Sequence, residues 1–340
     1  MKGFETYLGN IEGLVSSSAK GDKKDDDYIH PALRNMGCVT LVVIREAIAP
    51  VVFRNAEQEI TDIEIGDEVY VRAVPNKFKY PEKGRGLQIL RAYGVGGRLP
   101  QNKTFLRKTE KPSDAFDMNT LVFGDSTMHD NRVLPVRAAV NYSDGLSLLP
   151  KHLCVDETFH NRAMEDGTLF DAADKKNSES LFTRYFILPG TLMIQVLSTR
   201  GKVLPPEGLN HLLLSMGIAG LYGGQTSSTG VNIRSRLVGL YGSKFEQPLT
   251  SPYEIVKALK NTVVDKKDAN AVIKMLHGMM AEIHEISMKP EELNAYQNKL
   301  VKQFEKEDPA LKKMYEKASP KVAELFDSWF GTGKEAGKEK

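Results

Sequence analysis

The segment YGGQTSSTGVN, from Tyr222 to Asn232, packs three glycines and four small hydroxyl residues into eleven positions. Glycine lets the backbone turn sharply and lets another chain come close. Bare amides and small hydroxyls are the groups that line a phosphate backbone. Gly223, Gly224, Gln225, Thr226, Ser227 and Ser228 are therefore the first candidate contacts. The competing reading is structural, with Gly223 and Gly224 merely ending a helix. A nucleotide-binding P-loop is disfavoured, because Val231 follows Gly230 where that loop needs Lys-Ser or Lys-Thr. GVGGR at 94–98 lacks the strand-to-helix frame of a dinucleotide site.

A second concentration of chemistry lies between Tyr70 and Lys111, where eleven Lys and Arg stand against two Glu. Lys77, Phe78, Lys79 and Tyr80 alternate cation with aromatic, and Arg85, Arg91, Tyr93, Arg98, Lys103 and Arg107 continue the theme. Cations hold phosphates while aromatic rings stack on unpaired bases. The bland alternative is a soluble surface. All fifteen arginines fall at or before Arg236, whereas residues 261–340 balance fourteen Lys against fourteen acids. Because the planar guanidinium suits phosphates, the first two-thirds read as anion-facing and the tail as a solvated helical surface. The RNP signature of sheet-type RNA recognition is absent, so base stacking on the central strands is not expected.

His152, Cys154 and His160 lie close in sequence, with Cys38 or His129 as a possible fourth ligand, but the spacing matches no common zinc pattern. They are weak metal candidates, and His152 and His160 also read as ordinary loop residues. The acidic run at 25–27 reads as a solvated charge cluster. No nucleophile elbow or comparable catalytic signature occurs. No catalytic residue is assigned, no cofactor is called for, and the chain is not expected to be an enzyme.

These groups must be positioned by a fold, and 340 residues, 41% hydrophobic and 26% charged, suffice for a substantial core. There is no run of eighteen apolar residues and no apolar signal core at the N-terminus. With two cysteines, a reducing cytoplasm is the expected location. Residues 9–31 read as a loop or flexible segment. The β-branched run from Gly37 predicts a buried strand over 38–48, and alternation over 69–74 a half-exposed one. Residues 81–108 read as a protruding hairpin or inserted subdomain. NTLVFGD at 119–125 and the stretch 132–150 read as a β-rich block, and Pro189-Gly190 splits 180–200 into two strand-like pieces or one bulged strand.

A leucine-rich helix over 206–221 and a strand over 231–241 then complete a β-α-β unit, one half of a ferredoxin-like sandwich. Ser251, Pro252 and Glu254 read as cap, first residue and capping-box partner of a helix. Pro290, Pro309 and Pro320 punctuate later amphipathic segments, and 331–340 reads as a disordered tail.

The stretch RYFILPGTLMIQVLSTRGKVLPPEGLNHLLLSMGIAGLYGGQTSSTGVNIRSRLVGLYGSKFEQ resembles the core of the backbone subunit of the type I-D CRISPR Cascade effector. That is a Csc family within the RAMP superfamily. FDMNTLVFGD and ETFHNRAMEDGTLFDAAD are similar to segments between strands in these proteins, and the resemblance covers roughly residues 35–250. It implies an α+β fold, a modified ferredoxin-like (RRM-like) palm with inserted finger and thumb elements. The implied division is an N-terminal arm over 1–36, a core over 37–250, a helical region over 251–330 and a tail. Insertions are expected at about 50–115 and 143–180.

The resemblance further implies copies stacked head to tail along crRNA, holding its backbone and presenting bases to target DNA beside a large subunit and a guide-end cap subunit. No membrane is involved. The glycine segment matches the family best. Arg34, just before the first core strand, and Arg200, at the end of another, join Lys77, Lys79, Arg85, Arg91, Arg107 and Arg234 as expected phosphate contacts. Of Arg234 and Arg236, at most one is expected to face the same ligand. Related type III proteins cut RNA with an aspartate, so a metal-dependent nuclease is the alternative function.

Overall fold

The Cys38–Ala47 run, β-branched at five of ten positions, forms the strand around which the rest is arranged. The computed structural model describes residues 3–18, 35–53, 61–97, 105–129, 132–161, 170–171, 175–177, 181–223 and 230–330. Its first half contains α1 (Ile11–Ser18), β1 (Cys38–Ala47), β2 (Thr61–Ile65), β3 (Glu68–Ala73), α2 (Asn76–Tyr93), β4 (Phe105–Leu106), α3 (Met118–Phe123), β5 (Asp125–His129) and β6 (Arg132–Val136). Then come β7 (Val140–Tyr142), β8 (Gly145–Pro150), β9 (Val155–Asn161), β10 (Phe170–Asp171), β11 (Lys176–Asn177), β12 (Leu181–Ile187) and β13 (Leu192–Thr199). The chain continues through α4 (Pro206–Gly217), β14 (Ile233–Ser243), α5 (Pro252–Lys260), α6 (Ala269–Ile283), β15 (Ile286–Met288), α7 (Pro290–Glu305) and α8 (Pro309–Phe330).

The main sheet has the order β15-β14-β1-β13-β8-β3-β2, with β7 also on β13. Its paired neighbours are antiparallel. Side chains alternate across it. Leu41, Val43, Leu197 and Leu237 meet one helical layer built from α1, α2, α3, α4, α7 and α8. Val42, Ile44, Ile194 and Val238 meet the other, built from α5 and α6. The result is a mixed α+β architecture with one large antiparallel sheet and a helical C-terminal third. Among the described residues no helix is long and apolar enough to cross a membrane.

Several expectations change once packing is included. Residues 81–93 form no protruding hairpin. They belong to helix α2, which buries Phe78, Glu82, Gly86, Ile89 and Leu90 despite an internal Pro81. Pro81 and Gly84 hide that helix from propensity, and tertiary burial overrides them. Gly86 is required for space, since a Cβ there would meet Asn119 Oδ1 at 2.1 Å and His211 Nε2 at 2.7 Å. Within the supposed β-rich block, Met118–Phe123 is helical because Asp117 accepts from the Asn119 and Thr120 amides as its N-cap.

The N-terminal arm is partly packed, with Phe4, Leu8, Ile11 and Leu14 in the core. Helix α4 stops at Gly217, short of the expected 221. Residues 180–200 do split at Pro189-Gly190, and β12 joins β9 in a separate ribbon. Helix α5 begins at Pro252, but Ser251 makes no side-chain cap bond. Pro320 lies inside α8 instead of starting a segment, tolerated because Leu311, Tyr315, Val322, Leu325 and Phe326 bury one continuous face.

His211 ties three helices together. Its Nε2 lies 3.1 Å from Asn119 Oδ1 on α3, and its Nδ1 lies 3.0 Å from the Tyr315 hydroxyl on α8. That network fits a neutral ring, and burial pushes its pKa down to about 3. Below the ordinary histidine value the unfolded chain takes a proton that the folded chain refuses. Stability is therefore complete above pH 6.5 and declines as pH falls toward 3, by up to about 1.4 kcal/mol per unit. His211→Gln should be less stable at neutral pH yet show a flatter loss between neutrality and pH 5, measured by urea midpoints. Parallel curves would show that His211 is protonated within the fold.

Candidate nucleic-acid interface

Arg45 interrupts the apolar run of β1 and points to the same side as Leu41 and Val43. Its side chain and that of Glu82 on α2 are both fully buried, joined at 2.5 Å. Removing two charges from water is costly unless every remaining site finds a partner. Here Arg45 Nε donates to Gln195 Oε1 at 3.0 Å and Nη1 donates to Ser235 Oγ at 2.6 Å, while Nη2 is buried with no hydrogen-bond partner among the described residues. The Tyr142 and Tyr222 hydroxyls donate to Glu82 at 2.6 and 2.9 Å. Both phenols are pushed far up, first by burial and then by the Glu82 carboxylate. The guanidinium also lies 5.0 Å from the Phe78 ring centroid and 5.8 Å from that of Tyr222. One network thus joins β1, β7, β13, β14, α2 and Tyr222.

Tyr222 is also where the glycine segment begins. Its amide donates to Asn232 Oδ1 at 2.9 Å, and Asn232 Nδ2 donates to its carbonyl at 2.8 Å. The Asn232 side chain thereby imitates a backbone rung and ties the two described ends of the segment together as a stem. The Asn232 carbonyl in turn accepts from Ile48 at 2.9 Å, docking the stem beside the end of β1. Gly223 at φ 120° and Gly230 at φ 72° occupy conformations that favour glycine. Gly224, Gln225, Thr226, Ser227 and Ser228 lie outside the described residues, as does Arg34. Leu221 and Val231 flank the stem half-exposed or more.

The other expected contacts fall into separate places. The first turns of α2 approach the stem, with Phe78 and Tyr222 ring centroids 5.9 Å apart. Helical spacing puts Lys77 and Arg85 on one flank of α2 and Lys79 on the other, with Tyr80 72% exposed between. Burial lowers the Lys77 and Lys79 pKa values, a sign that these ammoniums are held against the protein. Arg85 donates to Gln88 at 2.8 Å. Arg91 donates through Nε to the Gly97 carbonyl, bracing the end of α2. Arg107 is exposed.

Arg200 lies at the far end of β13 from the loop, because Ser198 pairs with Thr40 whereas Ile233 pairs with Ala47. Arg234 and Arg236 share one face, contrary to expectation: residues two apart in a strand point the same way. Both reach Glu46, at 3.7 and 2.6 Å. Cys154 is buried with its thiol directed at the Leu149 carbonyl, and His152 is exposed. Cys38 is buried against the Thr199 carbonyl. Among the described residues no group of His, Cys, Asp and Glu is arranged to hold a metal ion.

Arg45, Glu82, Tyr222 and Asn232 were missed from the sequence as a unit. A signal existed: a lone Arg in an apolar strand, and one of only two acids in the most basic stretch of the chain.

A family described as Csc2 Crispr matches residues 74–322, and the chain belongs to it. No curated protein matches the sequence. The crystal structure of Thermofilum pendens Csc2 is similar over 98% of this chain and 97% of that one, with 15% identity and a TM-score of 0.58. A chain of a CRISPR RNA-guided surveillance complex in a pre-nicking state is similar over 77% of this chain and 99% of that one, with 10% identity and a TM-score of 0.49. A chain of a type IV-B CRISPR complex is similar over 66% of this chain and all of that one, with 13% identity and a TM-score of 0.41.

The buried pair yields a double-mutant test. Arg45→Ala alone leaves the buried Glu82 without its cationic partner, and should cost about 3–5 kcal/mol in chemical denaturation. Arg45→Met with Glu82→Leu should cost clearly less than the two single changes summed. Additive losses would mean the two groups do not depend on each other.

Proposed function

We propose that this Csc2-family chain is a guide-RNA-binding backbone subunit of a type I-D CRISPR interference complex, polymerising along crRNA through sequence-independent phosphate contacts. One observation carries the reading: a bare glycine segment is clamped by Tyr222 and Asn232 at the end of the main sheet, beside the cationic first turns of α2. Small residues let a ribose-phosphate chain lie against the protein, while Lys77, Lys79 and Arg85 supply charge beside it. The guide changes and the protein does not, so recognition rests on the backbone, with pairing left to read target DNA.

The palm is read as a modified ferredoxin-like unit. Supporting this are the sheet order β14-β1-β13-β8, the helix α4 joining β13 to β14, and α2 between β1 and β8. The core is assigned to 37–250 and the helical region to 251–330. The insertions at about 50–115 and 143–180 supply finger and thumb, the β9–β12 ribbon extending the second. In this reading the subunit is not an enzyme, and its partners are crRNA, copies of itself and the other subunits of the complex, in the cytoplasm.

The full chain, washed at high salt, should bind unrelated single-stranded RNAs with similar, salt-dependent affinity. Lys77→Ala with Arg85→Ala should weaken all of them about equally and reduce the logarithmic salt slope by about 0.7 for each phosphate left without its cation. Weakening confined to one sequence, or an unchanged slope, would contradict backbone recognition. Chelator-sensitive cleavage of the RNA would instead favour a nuclease.

A further inference from the structure

Two exposed surfaces, apart from the glycine stem and the first turns of α2, lie at diagonally opposite corners of the main sheet. The register fixes the ends: Cys38 faces Ser243 at one, and Ala47 faces Ile233 at the other. The first surface is a groove of about 780 Å³ at the Ala47 end, on the β2–β3 edge, where the β9–β12 ribbon leaves the body. Asp67, Glu68, Asp156 and Glu157 line it beside Val69 and Tyr185. Of the groove's cations, Lys151 pairs with the lining Asp62 at 2.6 Å and Lys260 engages Asp67 and Glu68, while Asp156 and Glu157 have no cationic partner among the described residues. Val69 is 38%, Tyr185 45% and the neighbouring Phe159 71% exposed. Phe159 shares the ribbon face of Tyr185, since Tyr185 pairs with Glu157 two residues away. An apolar floor with surplus negative charge repels nucleic acid and suits a basic, apolar protein segment.

The second surface has the converse character and sits at the Cys38 end, on the β14 side. Met36, Phe245 and Leu249 are 55%, 54% and 56% exposed. Arg200 is exposed nearby, and the Lys202 amide donates to the Asn35 carbonyl at 3.3 Å, bringing 35–36 against 200–202. The Lys244 ammonium lies 5.6 Å from the Phe245 ring centroid. Glu246 and Glu285 are the acids here, Glu285 accepting from the Lys244 amide at 2.8 Å, so that Arg200, Lys202 and Lys244 leave the corner net positive.

Ten residues of extended β1 separate the two corners by roughly 30 Å, so they cannot meet within one chain. Each surface is unlike itself and complementary to the other. Such a pair makes a heterologous contact, which repeats into an open row instead of closing as a two-fold dimer. We infer that the Met36–Phe245 corner of one copy docks into the acidic groove of the next. This rests on the reading of the chain as a multi-copy subunit, and it names the surfaces that join the copies.

Charge reversal on full-length chains tests it, with copies per RNA read by sedimentation on a long poly-uridine strand and affinity read separately on a strand short enough for one copy. Lys202→Glu with Lys244→Glu should leave short-strand binding within twofold but abolish loading of adjacent copies. Asp156→Lys with Glu157→Lys should likewise abolish adjacent loading. An equimolar mixture should restore it, because acidic corners then meet basic grooves and the remaining interactions stay as in wild type. Undiminished loading by either variant, or no rescue in the mixture, would overturn the inference. A wild type that binds neither strand would instead refute the RNA-binding reading. The same variants and mixture would then be compared by sedimentation of the free protein at high concentration, with rescue again required.

Discussion

The Arg45–Glu82 pair is the constraint on which the candidate site depends. Burying two charges contributes little net stability in itself, because desolvation offsets most of their attraction. Its consequence is geometric. The pair is tolerable only while Gln195, Ser235, Tyr142 and Tyr222 all remain in place. These groups come from three strands and the segment after α4, far apart in sequence, so satisfying them fixes how α2 lies on the sheet. It also fixes where Tyr222 starts the glycine segment. A purely apolar contact of similar size would allow α2 to slide; a hydrogen-bonded charge pair does not.

From that anchor the surface divides by charge. The glycine stem and the first turns of α2 adjoin at the Ala47 end of the sheet, where cations are held against the protein with an exposed tyrosine among them. The acidic groove is at the same end but on the β2–β3 edge, beyond β13 and β8 in the sheet order. A polyanion drawn to the first surface is therefore repelled from the second. Steering and exclusion come from the same arrangement of side chains. The helices behind the sheet carry balanced charge and a continuous apolar layer, and their part is to hold the sheet rigid.

Periodicity made much of this legible. The buried β1, the β13-α4-β14 unit and the proline-started helices α5, α7 and α8 follow from runs of apolar residues and the prolines before them. What stayed hidden was of two kinds. Helix α2 was masked by Pro81 and its glycines, because Gly86 is chosen for clearance against Asn119 and His211 and not for helix propensity. The Arg45 network was invisible because its members are separated by 37 to 190 residues. The glycine segment stood out by composition, yet the residue that ties its two ends together, Asn232, looks like any strand-flanking polar residue. Arg200 shows the opposite limit: ending a strand is readable, but which end of the sheet that is depends on pairing.

The central claim is that RNA lies along the glycine segment and the outer side of α2. The most direct measurement is photo-crosslinking of thiouridine-substituted single-stranded RNA to the full chain, with crosslinked peptides mapped by mass spectrometry. Crosslinks are expected in peptides spanning Tyr222–Asn232 and in those carrying Lys77–Arg85. Crosslinks confined to the helical region after Ser251, with both of these peptides unmodified, would contradict the claim.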